Sequence, residues 1–208
     1  MDNELLKIFD EKKNHIGVAT REEVHRFGYW HDAFHCWFVS KENGIDTIYL
    51  QHRSKTKKDY PNLLDITAAG HLLATETIEE GVREIKEELG LIVSFQELIP
   101  LGVIEYSVTK HDFIDNEIAH LFLFKTHKNL KEFSLQKDEV AGMYKAEFNQ
   151  FAEIWLGNQE TMKIEGFEIN ELGEKVFINK MVSRMDFVPH HLSYYQFVIQ
   201  KINEKMIN

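Results

Sequence analysis

The segment from Gly70 to Leu91, GHLLATETIEEGVREIKEELGL, sets the strongest limit on what this chain can fold into. Ile78, Val82, Ile85 and Leu89 recur at spacings of four, three and four, which makes one apolar helix face. Thr77 and Glu80 have capping-box spacing at its start, and Gly90 is placed to end it. Gly81 inside the helix costs up to about 1 kcal/mol relative to alanine, a cost that close packing against a neighbour would offset. The same stretch carries Glu76, Glu79, Glu80, Glu84, Glu87 and Glu88 against only Arg83 and Lys86. Like charges three or four apart on a helix repel by a few tenths of a kcal/mol per pair. A structural helix has no need of that repulsion, so a positive charge is expected beside it.

Glu84, Glu87 and Glu88 stand at i, i+3 and i+4, so their carboxylates gather on one side, away from the apolar stripe. Hard oxygen donors without His or Cys among them suit Mg²⁺ or Mn²⁺ better than zinc. The competing reading is a solvated acidic face, the ordinary fate of a charge run.

Around this helix the chain mixes strands and helices. LLKIFD reads as a strand, TREEVHRFG as a short helix with Thr20 and Glu23 in capping-box spacing, and AFHCWFVSKENGIDTIYLQHR as a hairpin turning at Asn43-Gly44. Strand-like runs follow at LIPLGVIEYSV, EIAHLFLFKT and EVAGMYKA, then helices at EFNQFAEIWLG and SYYQFVIQKINEKMI. This order predicts an α/β or α+β domain with a mixed sheet. A length of 208 residues fits one medium domain with an appended helical segment.

A net charge of −10 argues against a general nucleic-acid binder, which needs a basic face. The single cysteine, Cys36, excludes an internal disulfide framework and suits a reducing compartment. The start, MDNELLKIFDEKKN, lacks the apolar core of a signal peptide, and no apolar run approaches the ~20 residues of a membrane span. A cytoplasmic protein with no membrane partner is expected. Within this acidic chain, Arg53, Lys55, Lys57 and Lys58 fall in six residues, which suits either an anion clamp or a solvated loop.

REIKEELGL, Arg83 to Leu91, resembles the second half of the Nudix box, and Gly70, five residues and Glu76 resemble the first half. Six residues separate Glu76 from Arg83 where the box has seven, and Thr75 stands where many members have glycine. The missing residue falls in the turn before the helix, so a shorter loop with the same carboxylate geometry is expected. The resemblance implies an α/β/α sandwich spanning 1–208 as one domain, strongest over residues 18–145, with a C-terminal helical part at 146–208. It also implies Glu84, Glu87 and Glu88 as metal ligands with the Gly70 carbonyl. Glu87 or Glu88 would be the base for an attacking water, and Arg83 would orient a carboxylate through a charge-assisted hydrogen bond.

WHDAFHCWFV, LQHRSKTKKDYPNLLDITAAGH and DNEIAHLF resemble the branch of that family that includes isopentenyl-diphosphate isomerase and its hydrolase-like relatives. By position, Arg53 and Lys57 match the loop that grips the substrate diphosphate. Ala69 stands at the position of the isomerase cysteine, Glu117 matches its glutamate with Tyr106 nearby, and His31, His71 and Asp115 fall near its metal ligands. Loss of that cysteine removes a proton donor of the kind that contributes roughly 10²–10⁴-fold. Cys36, in mid-strand, is read as a buried structural thiol rather than a substitute.

His31 and His35 face the same way in the expected strand, to line a pocket or to serve as hydrogen-bonded structural histidines. Glu139 occupies a region where some Nudix hydrolases carry a further catalytic acid. The tail FVPHHLSYYQFVIQKI suits core packing, a cover for the pocket or a homodimer contact. The expected activity is Mg²⁺-dependent hydrolysis of a small-molecule diphosphate, a nucleoside diphosphate derivative or a related organic diphosphate. The alternatives are an isopentenyl-diphosphate isomerase and a non-catalytic ligand-binding relative.

Overall fold

The computed structural model describes residues 4–110 and 113–206. The elements run β1 (Leu5–Phe9), β2 (His15–Thr20), α1 (Arg21–Phe27), β3 (Trp30–Glu42), β4 (Ile45–Arg53), β5 (Leu64–Asp65), β6 (Ala68–His71), α2 (Arg83–Leu89), β7 (Ile99–Lys110), β8 (Phe113–Lys125), β9 (Val140–Glu147), α3 (Phe148–Leu156), β10 (Thr161–Ile169), β11 (Lys175–Ser183) and α4 (Leu192–Met206). The main sheet path is β11-β10-β9-β4-β3-β1-β2. β3 is its hub: it pairs β8 in parallel over Trp30–Val39, β6 over Ala33–Cys36 and β4 over Phe38–Glu42. All other named pairs are antiparallel, so the sheet is mixed, as expected.

The period-two alternation of β3 sends Trp37 and Val39 to one face and Phe34, Cys36 and Phe38 to the other. Each face buries its own core. Phe148 and Phe151 of α3 and Tyr194 and Val198 of α4 pack with Trp37, while Ile85 and Leu89 of α2 pack with Phe34 and Cys36. Helices on both faces of one sheet give the α/β/α layering. Each fully buried aromatic or aliphatic side chain stabilises it by about 1.5–3 kcal/mol relative to exposure.

Two local predictions hold closely. Thr20 and Glu23 form a capping box on α1, which Gly28 ends in the left-handed region at φ +68°. Asn43 and Gly44 both take positive φ, 51° and 84°, as a two-residue hairpin turn needs. The acidic helix differs from its expected form. Its first turn, Glu79–Val82, is 3₁₀ and the α-helix begins only at Arg83. Glu80 accepts from the Thr77 N–H at 2.8 Å, while no side chain caps the N–H groups ahead, so half of the capping box forms. Ile78 lies 38% exposed, outside the stripe that Ile85 and Leu89 bury. Gly81 is needed for packing: a Cβ there would lie 2.8 Å from Leu72 Cδ2 and from Phe34 Cδ2.

The region 146–208 is not helical throughout. Between α3 and α4 it forms the hairpin β10–β11, which extends the sheet through β9. Thr161, Lys163 and Glu165 face out while Met162 and Ile164 are buried, an alternation that specifies a strand. Gly166 admits the neighbouring strand, since a Cβ there would lie 2.0 Å from the Met143 carbonyl. Among the described residues no helix is long and apolar enough to cross a membrane.

Candidate active site

One cavity of about 240 Å³ collects most of the residues singled out in the sequence. Arg53, Lys57, Ala69, Gly70, His71, Arg83, Glu84, Glu87, Glu88, Tyr106, Asp115, Glu117 and Glu139 all line it.

α2 and β6 build its acidic side. Gly70 lies so close to Glu84 that any side chain there would displace the carboxylate. Arg83 fans across the acids: it pairs with Glu76, donates from Nη1 to Glu84 at 2.7 Å and to Glu87 at 2.9 Å, and from Nη2 to the His71 carbonyl at 3.1 Å. Glu88 is not on a solvated face. It is 5% exposed and accepts from the Ala69 N–H at 3.1 Å, while Glu87 stays at the surface. Burial pushes the Glu84 carboxyl up to about 7, with Arg83 opposing and Glu87 adding to the rise. Burial and then the Glu84 charge push Glu88 well above the carboxylate range, against Lys57 and the Ala69 N–H. Two carboxylates that repel each other beside one arginine, Glu88 buried and Glu84 largely so, form a donor set that fits a hard divalent cation.

The basic loop reaches the cavity already partnered. Arg53 donates to Asp65 at 2.8 Å, to the Asp59 carbonyl at 2.7 Å and to the Tyr60 carbonyl at 3.1 Å, so it fastens its own loop. Lys57 pairs with Glu139. The Lys57 charge also works against the rise at Glu88.

A second cluster reaches the same cavity through His25, His71 and Asp115. One ligand atom each from His25, His31, His71 and Asp115 falls within 4.8 Å of the others. His25 Nδ1 faces the Arg21 carbonyl at 2.8 Å and His31 Nδ1 the Tyr29 carbonyl at 3.1 Å. A carbonyl only accepts, so each Nδ1 carries its proton and each Nε2 presents a lone pair. Those Nε2 atoms lie 3.4 Å from Asp115 Oδ1, and all three atoms are buried without a hydrogen-bond partner. Burial lowers His31 and His71 to about 4, which keeps both rings neutral. Orphaned lone pairs converging on one point fit a divalent ion with an imidazole preference. His25 escaped the sequence reading because the four ligands come from α1, β3, β6 and β8, with no common spacing.

Glu117 adjoins this cluster, 6% exposed, bonded to the Tyr106 hydroxyl at 2.5 Å and to His35 Nε2 at 3.2 Å. Burial works to raise its carboxyl, but His35 and His71 outweigh it and hold it well below the usual range. His35 also meets the Tyr194 hydroxyl at 2.9 Å, so the tail packs in the core, and its residues Val188, Pro189 and His190 line the cavity. His31 and His35 thus share a face with different roles, one in the histidine cluster and one beside Glu117. Ala69 lines the cavity. Cys36 lies on the opposite face of β3, fully buried, and burial raises its thiol. Asp65 and His190, joined at 2.9 Å on the cavity wall, were not anticipated.

The NUDIX domain model matches residues 29–166. A Nudix hydrolase of Clostridium acetobutylicum, itself uncharacterised, is 38% identical over 204 residues, covering 97% of this chain and 98% of its own. The isopentenyl-diphosphate Delta-isomerase of Saccharopolyspora erythraea is 28% identical over 160 residues, covering 76% of this chain and 79% of its own. A crystal structure from Deinococcus radiodurans shares the fold, with a TM-score of 0.57 at 18% identity over 74% of this chain and 90% of that one. With a box helix that builds the acidic wall and relatives on both sides of the branch, the chain belongs to the Nudix family as a hydrolase of its isopentenyl-diphosphate isomerase-like branch.

Proposed function

We propose that the protein hydrolyses a small organic diphosphate, with water attacking phosphorus and a phosphate group leaving. The observation that carries this reading is the acidic wall itself: Glu84 packed against Gly70, with the buried Glu88 beside it on the same cavity. Glu84, Glu87 and Glu88, with the Gly70 carbonyl, would hold Mg²⁺ or Mn²⁺. When bound there, the ion supplies charge neutralisation for the diphosphate and a lowered pKa for a nearby water. Glu88, buried and lining the cavity, would be ionised once a cation offsets its burial and the Glu84 charge, and in that form takes the proton as the new O–P bond forms and the bridging P–O bond breaks. Arg83 keeps Glu84 and Glu87 aligned through its two hydrogen bonds. Lys57 offsets the acidic charge on the side where the substrate phosphates enter. His25, His31, His71 and Asp115 would hold a second divalent ion beside the same cavity.

The test is a screen of organic diphosphates with Mg²⁺ read by phosphorus NMR. Phosphate products support hydrolysis, whereas saturable binding without turnover would leave only a ligand-binding protein. The second reading, isopentenyl-diphosphate isomerisation, is favoured by the Glu117–Tyr106 pair within this cavity. It stands second because Ala69 offers no proton and Cys36 faces the other side of the sheet.

A further inference from the structure

Val188, Pro189 and His190, in a strap of residues 187–191 that leads into α4, line the cavity. The strap's backbone is fixed. Phe187 bridges Leu64 in parallel, the Val188 N–H donates to the Leu64 carbonyl at 2.9 Å, and the Tyr195 hydroxyl donates to the Val188 carbonyl at 2.8 Å. At the end of the strap His190 Nε2 meets Asp65 Oδ1 at 2.9 Å. The Ile66 N–H donates to the same oxygen at 2.8 Å, and Arg53 Nη1 to the other oxygen at 2.8 Å. Asp65 is 4% exposed, so three donors from separate segments surround a buried carboxylate. Burial would raise Asp65, but His190, Arg53 and the Ile66 N–H outweigh it and hold the carboxyl well below its usual range.

An ionised carboxylate only accepts hydrogen bonds, so Nε2 carries the proton, and in the single-proton tautomer this fixes, Nδ1 is the atom that presents a lone pair. Nδ1 has no hydrogen-bond partner among the described residues, and the ring keeps 10% of its surface open as it lines the cavity. Aromatic rings stand around it, the His35 imidazole among them at 6.4 Å between centroids. Tyr106 stands edge-on with ring centroids 5.7 Å apart, Tyr194 lies at 5.0 Å, and Ile66 and Val108 line the cavity nearby. An acceptor fixed in a largely buried wall discriminates between ligands with and without a matching donor.

We propose that His190 is a substrate-contacting residue whose Nδ1 accepts a hydrogen bond from a hydroxyl or amino group on the organic part of the diphosphate. Arg53 is then a positioning residue, acting on the ring through Asp65. The proposal rests on the diphosphate hydrolase reading and names the class of substrate: a small organic diphosphate with a hydrogen-bond donor on an otherwise apolar body.

The test compares alkyl diphosphates of three to six carbons with their ω-hydroxy counterparts, each with Mg²⁺. For at least one chain length the wild type should favour the hydroxylated member by about tenfold or more in kcat/KM. His190→Phe, which keeps an aromatic ring in the wall, should bring that ratio toward one. His190→Gln, which keeps an acceptor, should retain part of it. Equal rates on every pair in the wild type, or a preference that survives in His190→Phe, would overturn the proposal and leave the hydrolase standing. If no member is hydrolysed, imidazole ¹⁵N spectra decide. A shift of His190 Nδ1 with hydroxylated chains alone supports the contact and removes hydrolysis, and binding by none overturns both.

Discussion

Glu84 and Gly70 are in such close contact that a Cβ built on the glycine would lie 2.2 Å from Glu84 Oε1. The absent side chain of β6 is therefore part of the acidic site, and the glycine is required by contact rather than by backbone conformation.

Gly70→Ala should leave the fold intact and push the Glu84 carboxylate aside. Displacement of about 1 Å at a reacting centre costs roughly a hundredfold, so kcat should fall by about that factor. Circular dichroism and steady-state kinetics check this together, and full activity in the folded variant would remove Glu84 from the site.

His31→Ala should abolish one of two divalent sites, because His31 Nε2 and Asp115 Oδ1 are buried and mutually unsatisfied. After loading with Mn²⁺ and dialysis, elemental analysis should find less metal in the variant than in the wild type. Equal retention would show that the histidine cluster holds no ion.

Asp65 links stability to pH. Its folded carboxyl lies below the unfolded value of about 3.9, so the native state binds fewer protons as pH falls through that region. The stabilisation is complete above about pH 5 and is lost progressively as pH drops through 4 toward the folded value. Asp65→Asn should cost on the order of 3 kcal/mol near neutral pH, since it leaves Arg53 and His190 without their buried anion. Melting curves at a series of pH values should converge for the two proteins at the acidic end. A constant gap would deny the linkage.

Gly81→Ala gains helix propensity but forces Leu72 and Phe34 apart. Overpacking of this kind costs about 1–3 kcal/mol, so the variant should melt lower despite the better helix former. A raised melting temperature would show that the core yields there.

These residues also mark what a single sequence makes legible. Short-range chemistry is readable: the Thr20–Glu23 box, the Asn43-Gly44 turn and the run of box glutamates each declare themselves within a few residues. Where only pairing defines an element, the signal fades. β5 and β6, two and four residues long, are defined by their partners β4 and β3. The site divides the same way. The box residues lie within one segment, whereas His25 meets Asp115 through the packing of α1 on β8, and Asp65 meets His190 across 125 positions. Ile78 continues the helical spacing yet lies outside the core, because a 3₁₀ turn rotates it away from Ile85.

The most direct measurement follows isotopes through the reaction of the wild type with Mg²⁺ and isopentenyl diphosphate, in water carrying both ¹⁸O and deuterium. Attack on phosphorus, slow on this substrate because its isopentenyl chain lacks a hydrogen-bond donor, places ¹⁸O in a phosphate product and leaves the carbons unlabelled. That is the predicted result, with Glu88→Gln lowering its rate by about a hundredfold or more. Rapid deuterium entry at carbon, with no ¹⁸O in phosphate, would contradict the account and show that a group other than Ala69 supplies the proton.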